Sequence, residues 1–458
     1  MKNKSRRNFL QQSAIAGLGT VLTSSFAPAI FARNSNLTHT PAILGGAVKF
    51  DVPKWIKWPI WDVEKDEKIL LEVMRSGVWS RASVVTEFEN AWAKTLDVKR
   101  CLTVVNGTNA LIAALNQLNI RGGDEVLVTP YTFIATIQAI LANGSMPVFV
   151  DVDPQTFQMD PTKIEARITS NTRAIMPVHI LGLPCDMDRI MAIAKKHNLI
   201  VLEDACQAPL AEVNHKKVGT IGDAGCFSFQ NSKNIAIGEG GAIVSNNDAF
   251  MDKCYSYHNL GMPYGSASGS INVGSFMQAS KVRLSEYQAA IGLAQLKRLD
   301  EQTTTRNINA AYLSSLIKDI PGITPYKLYD NVTRAAFHLF PFRYNKNEFK
   351  GLSRTGFIKA LMAEGIPASG GYTTLNTQPF IKETFASKNY QKMYSKKQLD
   401  YAAYMENNQC PLNDVLCTEA VWFSQNLLLG SKADMNYIFT AIQNIQKNAA
   451  QISKTVDK

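Results

Sequence analysis

Short apolar runs and stretches of helical period alternate along most of this chain. A helical pattern runs from Trp61 to about Gly77, and strands are expected near 102 and at 125–129, 147–151, 173–177 and 199–203. Helices are expected between them at 108–120, 133–143 and 186–197. Leu199-Ile200-Val201-Leu202 has no polar alternation and reads as a buried strand. Strands alternating with helices over short connections predict an α/β architecture, a mostly parallel sheet with helices on both faces. Phe227–Phe229 and Ala242–Val244 add two strands, and a long helix from Ser285 to about Leu299 links this part to the next. After Asp300 a smaller α+β part follows, with a helix at 305–318, a strand at 337–344, a helix at 354–364 after Ser353, and a terminal helix from Lys432. The expected organisation is a large domain over 61–300 and a small C-terminal domain over 301–458, without internal repeats.

Three places in this pattern carry chemistry. Lys233 sits in a polar turn between the apolar runs Cys226-Phe227-Ser228-Phe229 and Ala242-Ile243-Val244, followed by Gly238-Glu239-Gly240-Gly241. Burial there disfavours the ammonium and makes the amine a nucleophile of the Schiff-base kind; the alternative is a surface lysine in a β-turn. Asp204 closes the buried strand in Glu203-Asp204-Ala205-Cys206-Gln207-Ala208. A carboxylate at that end of an open sheet suits a heteroaromatic nitrogen that must stay protonated, as in pyridoxal 5'-phosphate (PLP). The alternative is a helix N-cap. Leu102-Thr103-Val104-Val105 leads through Asn106-Gly107-Thr108-Asn109 into a helix, which presents free amides to a phosphate; an ordinary strand-to-helix turn reads the same way.

Taken in order, these pieces resemble the DegT/DnrJ/StrS family of sugar aminotransferases, within the fold-type-I PLP enzymes. The likeness rests on Asn106-Gly107-Thr108-Asn109-Ala110-Leu111, Gly123-Asp124-Glu125-Val126, Pro130-Tyr131-Thr132-Phe133 and Pro147-Val148-Phe149-Val150-Asp151. It continues through Glu203–Ala208, Phe227–Lys233, Gly238–Gly241 and Arg283-Leu284-Ser285-Glu286-Tyr287-Gln288, covering the chain from about Trp61 onward. The resemblance implies PLP as cofactor, a keto sugar and an amino donor (glutamate or glutamine) as substrates, and a homodimer with its active site at the interface. It makes Lys233 the Schiff-base lysine and proton shuttle and Asp204 the partner of the ring nitrogen. Gln207 lies near the phenolic oxygen, Phe133 on the ring face, and Gly107, Thr108 and Ser228 around the phosphate. Taken alone, Phe133 also reads as core, Gln207 as a cap and Ser228 as a strand residue. A lysine at 233 weighs against the family's dehydratase branch, which has histidine there.

Departures from the family pattern bear on substrate more than on cofactor. Lys281-Val282-Arg283 stands where the family usually has Asn-Tyr-Arg, whose Asn reaches the partner's phosphate; Lys281 serves as a point-charge substitute. Gln230 replaces a common His or Tyr, and Gly265–Ser270 is small-residue rich. The loops around 76–84, 258–282 and 369–378 are expected to decide the substrate.

Composition narrows the class. Of 458 residues 46% are hydrophobic and 19% charged, which fits a globular rather than a disordered chain. The net charge of +10 comes without basic blocks interleaved with aromatics, so nucleic acid is not an expected partner. Seven cysteines without CxxC spacing cannot all pair within one chain. Six histidines show no metal-ligand spacing, and His179 and His338 read as core or active-site-rim residues. Arg6-Arg7 in a basic start, a moderately apolar stretch from Ala14 to Leu22 and Ala27-Pro28-Ala29-Ile30-Phe31-Ala32 read as a twin-arginine (Tat) signal over 1–32, with a linker over 33–60. Its apolar run is too short for a membrane span. The expected location is the periplasm, with the cytoplasm as alternative. Two other functions stay open from sequence: an exported PLP-fold binding or sensory protein without turnover, and another fold-type-I reaction such as a lyase or aldolase.

Overall fold

The computed structural model describes residues 40–48, 52–266 and 274–457. The Tat signal expected over 1–32, the first part of the linker and most of the Gly265–Ser270 stretch lie outside these residues. Seven strands form the central sheet: β1 (Arg100–Val104), β2 (Glu125–Val128), β3 (Met146–Phe149), β4 (Thr172–Met176), β5 (Ile200–Asp204), β6 (Ala224–Ser228) and β7 (Gly241–Ser245). Their order is β1-β7-β6-β5-β4-β2-β3. All neighbours pair in parallel except β7, which runs antiparallel to both β1 and β6.

Period-two alternation sends successive side chains to opposite faces, and the core divides accordingly. Val126, Val128, Ala174, Met176 and Ile243 pack in one apolar cluster, whereas Leu127, Ile175, Ala242 and Val244 pack in another. Both faces are therefore dry, which explains the unbroken apolar runs.

Helices α1 (Val63–Ser76), α2 (Ser83–Leu96), α3 (Gly107–Gln117), α4 (Ile134–Ala142), α5 (Met187–His197) and α6 (Asp248–His258) surround the sheet's strands in sequence. The helix expected to end near Leu299 and the one expected at 305–318 are a single helix, α7 (Glu286–Ile317). The polar, β-branched run Gln302-Thr303-Thr304-Thr305 reads as a break, but Gln302 and Thr303 are buried. α7 packs against α1 and α2 at its start and against the C-terminal helix further on, so tertiary contacts override the weak propensity. A second sheet follows, with strand order β8-β9-β11-β10: β8 (Ile323–Pro325), β9 (Leu339–Tyr344), β10 (Ser369–Gly370) and β11 (Ala420–Ser424). Helix α8 (Arg354–Ala363) starts at its Ser353 N-cap, and α9 (Lys432–Lys447) starts at a capping box of Ser431 and Asp434. A short further helix, Ala449–Val456, follows it.

Helix α2 has no side-chain N-cap of its own, since Ala82 precedes it. Glu286, at the start of α7, supplies the acceptor instead. Its carboxylate receives the amides of Ala82 (2.6 Å), Val84 (2.9 Å) and Val85 (2.9 Å), while its own amide donates to Trp79 O. Glu286→Ala strands three donors at a buried carboxylate position. Urea denaturation is expected to show a loss of about 3 kcal/mol, and an unchanged midpoint would refute this capping role.

Candidate active site

The carboxyl ends of β1, β5 and β6 meet at one edge of the sheet, where open α/β sheets hold ligands. A cavity of about 490 Å³ lies there, lined by Gly107, Thr108, Phe133, Asp204, Gln207, Ser228 and Lys233. Its size is that of a cofactor site. Seven of the eight residues singled out as cofactor-binding thus come together. Lys281 does not: it is exposed and lines a separate cleft with Trp79, Arg81, Arg283 and Tyr287.

Lys233 occupies a turn set by the strands on either side. Phe229 N–H donates to Gly240 O and Asn231 N–H to Gly238 O, which closes the excursion between β6 and β7. Within it Lys233 N–H donates to Gln230 O at 2.8 Å. The surface-turn reading does not hold, because the side chain faces the cavity. Burial pushes its pKa below the ordinary lysine value, while Cys206 and Asp204 pull it the other way. Desolvation wins, and the amine is readied as a nucleophile.

Asp204 is 4% exposed. The residues after it form turns rather than a helix, so it caps nothing. One carboxylate oxygen accepts the Thr136 hydroxyl at 2.8 Å and the other accepts Cys206 N–H at 3.2 Å. Thr136 is held in turn by Thr132, 2.8 Å away in the bend just ahead of α4. Both oxygens are thereby oriented while the carboxylate still borders the cavity.

The phosphate corner is formed by α3. Asn106 caps it by accepting Asn109 N–H at 2.8 Å, which leaves the amides of Gly107 and Thr108 without intrahelical acceptors. Gly107 is required by space: a Cβ there would lie 2.8 Å from Ser228 Cβ and 2.9 Å from Cys206 Sγ. Ser228 Oγ also accepts Gln230 N–H at 3.4 Å. Phe133, at the start of α4, is 56% exposed, so its ring stands at the cavity rather than in the core. Gln207 is fixed at both ends, accepting Leu181 N–H and donating to Tyr372 OH, each at 2.8 Å.

The family profile of the DegT/DnrJ/EryC1/StrS aminotransferases matches residues 62–410. The chain belongs to this family. A spore coat polysaccharide biosynthesis protein of Bacillus subtilis, SpsC, is 35% identical over 356 residues, covering 75% of this chain and 91% of that protein. The L-glutamine:2-deoxy-scyllo-inosose aminotransferase of Streptoalloteichus tenebrarius is 30% identical, over 86% of this chain and 96% of its own length. Among solved structures, 3-amino-5-hydroxybenzoic acid synthase superposes with a TM-score of 0.76 at 28% identity, covering 87% of this chain and all of that one. The chain is an aminotransferase of the fold-type-I architecture, and its cofactor is PLP.

The residues present fit that cofactor. Unpaired amides at a helix start suit a phosphate, a pre-oriented buried carboxylate suits a ring nitrogen, and a desolvated amine suits an aldehyde. Thr136, Cys206 and Tyr372 also line the cavity without having been singled out from sequence, and His338, read as a core or active-site-rim residue, lines it too. The Thr132/Thr136 pair at helical spacing was a usable signal for the first. Tyr372 arrives from the 369–378 loop, the one of the three expected substrate loops that reaches this cavity among the described residues. Burial, with the Lys233 and Arg306 charges, holds His338 well below the usual imidazole range, and its Nδ1 has no partner. His179, by contrast, is a satisfied core residue, bonded to Glu203 at 3.0 Å and to Cys185 N–H at 3.1 Å.

Gly107→Ala crowds Ser228, at the end of β6, and Cys206. Overpacking of this kind costs about 1–3 kcal/mol. Fluorescence titration of the variant is expected to show PLP affinity lowered about tenfold to a hundredfold with the fold intact. Wild-type affinity would remove Gly107 from the phosphate corner.

Proposed function

We propose that this aminotransferase moves an amino group from L-glutamine or glutamate to the keto carbon of a cyclic keto sugar or keto cyclitol. The observation that carries this reading is the convergence of Lys233, Asp204 and the amides of Gly107 and Thr108 on one cavity. Relatives named for glutamine-dependent amination of inososes, such as the S. tenebrarius enzyme, support the substrate class.

PLP, when bound, supplies an electron-withdrawing ring and a reactive aldehyde carbon. The protein does the rest. Gly107 and Thr108 hold the phosphate, with Ser228 beside them. Asp204, its oxygens steered by Thr136 and Cys206, keeps a proton on the ring nitrogen. Phe133 would lie against one face of the ring, and Gln207, braced by Tyr372, would sit near its oxygen. Lys233, its pKa lowered by burial, would hold the cofactor through its aldehyde carbon and would carry a proton to and from the substrate carbon that bears nitrogen. Lys281 completes the phosphate site of a second copy in a homodimer. Its exposed position outside the cavity of its own chain supports that reading.

The Tat reading of 1–32 makes this an exported enzyme, folded and loaded with PLP before transport. Its substrate is then a free or glycan-derived keto compound rather than a nucleotide-linked sugar. Replacing Arg6-Arg7 by Lys-Lys is expected to hold the protein in the cytoplasmic fraction. Equal periplasmic yield from both forms would overturn the export reading.

Purified protein with PLP is expected to absorb in the visible, and L-glutamine to bleach that band. Lys233→Ala is expected to lose both the reducible visible band and all turnover. A wild-type band that no amino donor bleaches would identify a PLP-binding protein instead of a transaminase.

A further inference from the structure

The segment ahead of α1, expected as a linker, is a strap fastened across the molecule. Trp55 Nε1 donates to Gly365 O at 2.7 Å, Asn426 Nδ2 to Ile56 O at 2.8 Å, and Gln295 Nε2 and Arg298 Nη1 to Ile60 O at 2.8 and 2.9 Å. Between these points Trp58 Nε1 donates to the carbonyl oxygen of Lys233 itself at 3.1 Å. The other side of the same indole meets Arg306, whose guanidinium carbon lies 5.4 Å from the ring centroid.

Arg306 is an unusual neighbour. It is fully buried and has no carboxylate partner among the described residues. Nε and Nη2 share the Gln425 side-chain oxygen, and Nη1 has no acceptor. Burial lowers its pKa to about 9. A desolvated guanidinium gains most from an aromatic face, so Arg306 holds the Trp58 ring as firmly as the ring holds it. The strap therefore has a fixed point directly behind the reactive lysine.

We infer that Trp58 is a positioning residue for Lys233: clamped against Arg306, its indole N–H fixes the lysine carbonyl and so the turn that aims the amine into the cavity. This rests on the aminotransferase reading of the site. The lysine backbone is then held from both ends, by Gln230 O at its N–H and by Trp58 at its carbonyl. Without the second bond the carbonyl end of the lysine loses its fixed partner, and water reaches the amine more readily. The ionisable groups lining the cavity with Lys233 are Asp204 at the end of β5, Cys206 after it, Glu239 ahead of β7, His338 ahead of β9, and Tyr372.

Trp58→Phe keeps a ring and removes the N–H. Trp55→Phe is the matched control, because its bond to Gly365 lies elsewhere on the strap. In PLP-free protein, reductive methylation of Lys233 against pH, read by mass spectrometry, reports the amine without any turnover. In the loaded protein, the rate of PLP release is followed by the visible band. Trp58→Phe is expected to raise the labelling midpoint by about half a pH unit or more, toward the ordinary lysine value. Release of PLP is expected to quicken about fivefold, as the covalent anchor is aimed less well. Trp55→Phe is expected to lower the melting temperature alone. Wild-type midpoint and release in Trp58→Phe, or equal changes in Trp55→Phe, overturn the inference. Should Trp58→Phe not fold, Arg306→Met decides: it removes the clamp and an unpaired buried charge together. The same shifts in that variant support the inference, and unchanged values sink it. A wild-type protein without a visible band would refute the cofactor reading instead, and the labelling comparison would still judge Trp58.

Discussion

The parallel pairing of β5 with β6 is the constraint on which the rest depends. In that register Asp204 lies opposite Cys226, so β5 ends beside the strand that leads to Lys233. The chain then turns back at once, because β7 pairs antiparallel with β6 through Gly225–Ser228 and Gly241–Val244. This single reversed strand in a parallel sheet keeps the lysine turn short and holds it at the same edge as Asp204. A helical crossover at this point would carry Lys233 away to the sheet's other face.

The second consequence of that geometry is electrostatic. Lys233 stands near a carboxylate, which ordinarily raises a lysine pKa, yet its net shift is downward because burial outweighs the nearby charge. Asp204 is meanwhile held by Thr136 and by Cys206 N–H, and these bonds fix both its oxygens where it borders the cavity. Helix α3 adds the positive end of its dipole and two free amides on the third side. A phosphate bound there would balance that side.

The sequence made the strand ends legible because each was an apolar run stopped by a polar cluster. It also made α8 and α9 legible, since Ser353 and Ser431 are local start signals. Helix α2 escaped notice because its cap, Glu286, lies 204 residues from Ala82. Two helices were expected where α7 is one, because packing on three other helices carries it through Gln302–Thr305. At the site, Lys233, Asp204 and Gly107 were readable as ends of local motifs. Tyr372 and Trp58 were not, because each reaches the site from a segment whose own sequence only says loop. Long-range arrivals leave no periodicity and no spacing to read.

The strap sharpens this last point. An arginine with no carboxylate is costly to bury, and a hydrophobic residue of similar size often serves stability better. Arg306 nonetheless lies at full burial, with one nitrogen unpaired, against a tryptophan that touches the lysine backbone. Packing alone does not explain that choice, because Gln425 could bond a neutral donor equally well. A charged, planar group does explain it, since it holds an indole face in one orientation and is rigid enough to act as a stop. The cation's influence also extends to His338 across the cavity rim, where it adds to burial in keeping the imidazole neutral. One buried charge thus touches two groups that line the cavity, the lysine through Trp58 and the histidine through space, from a position that never contacts the cofactor.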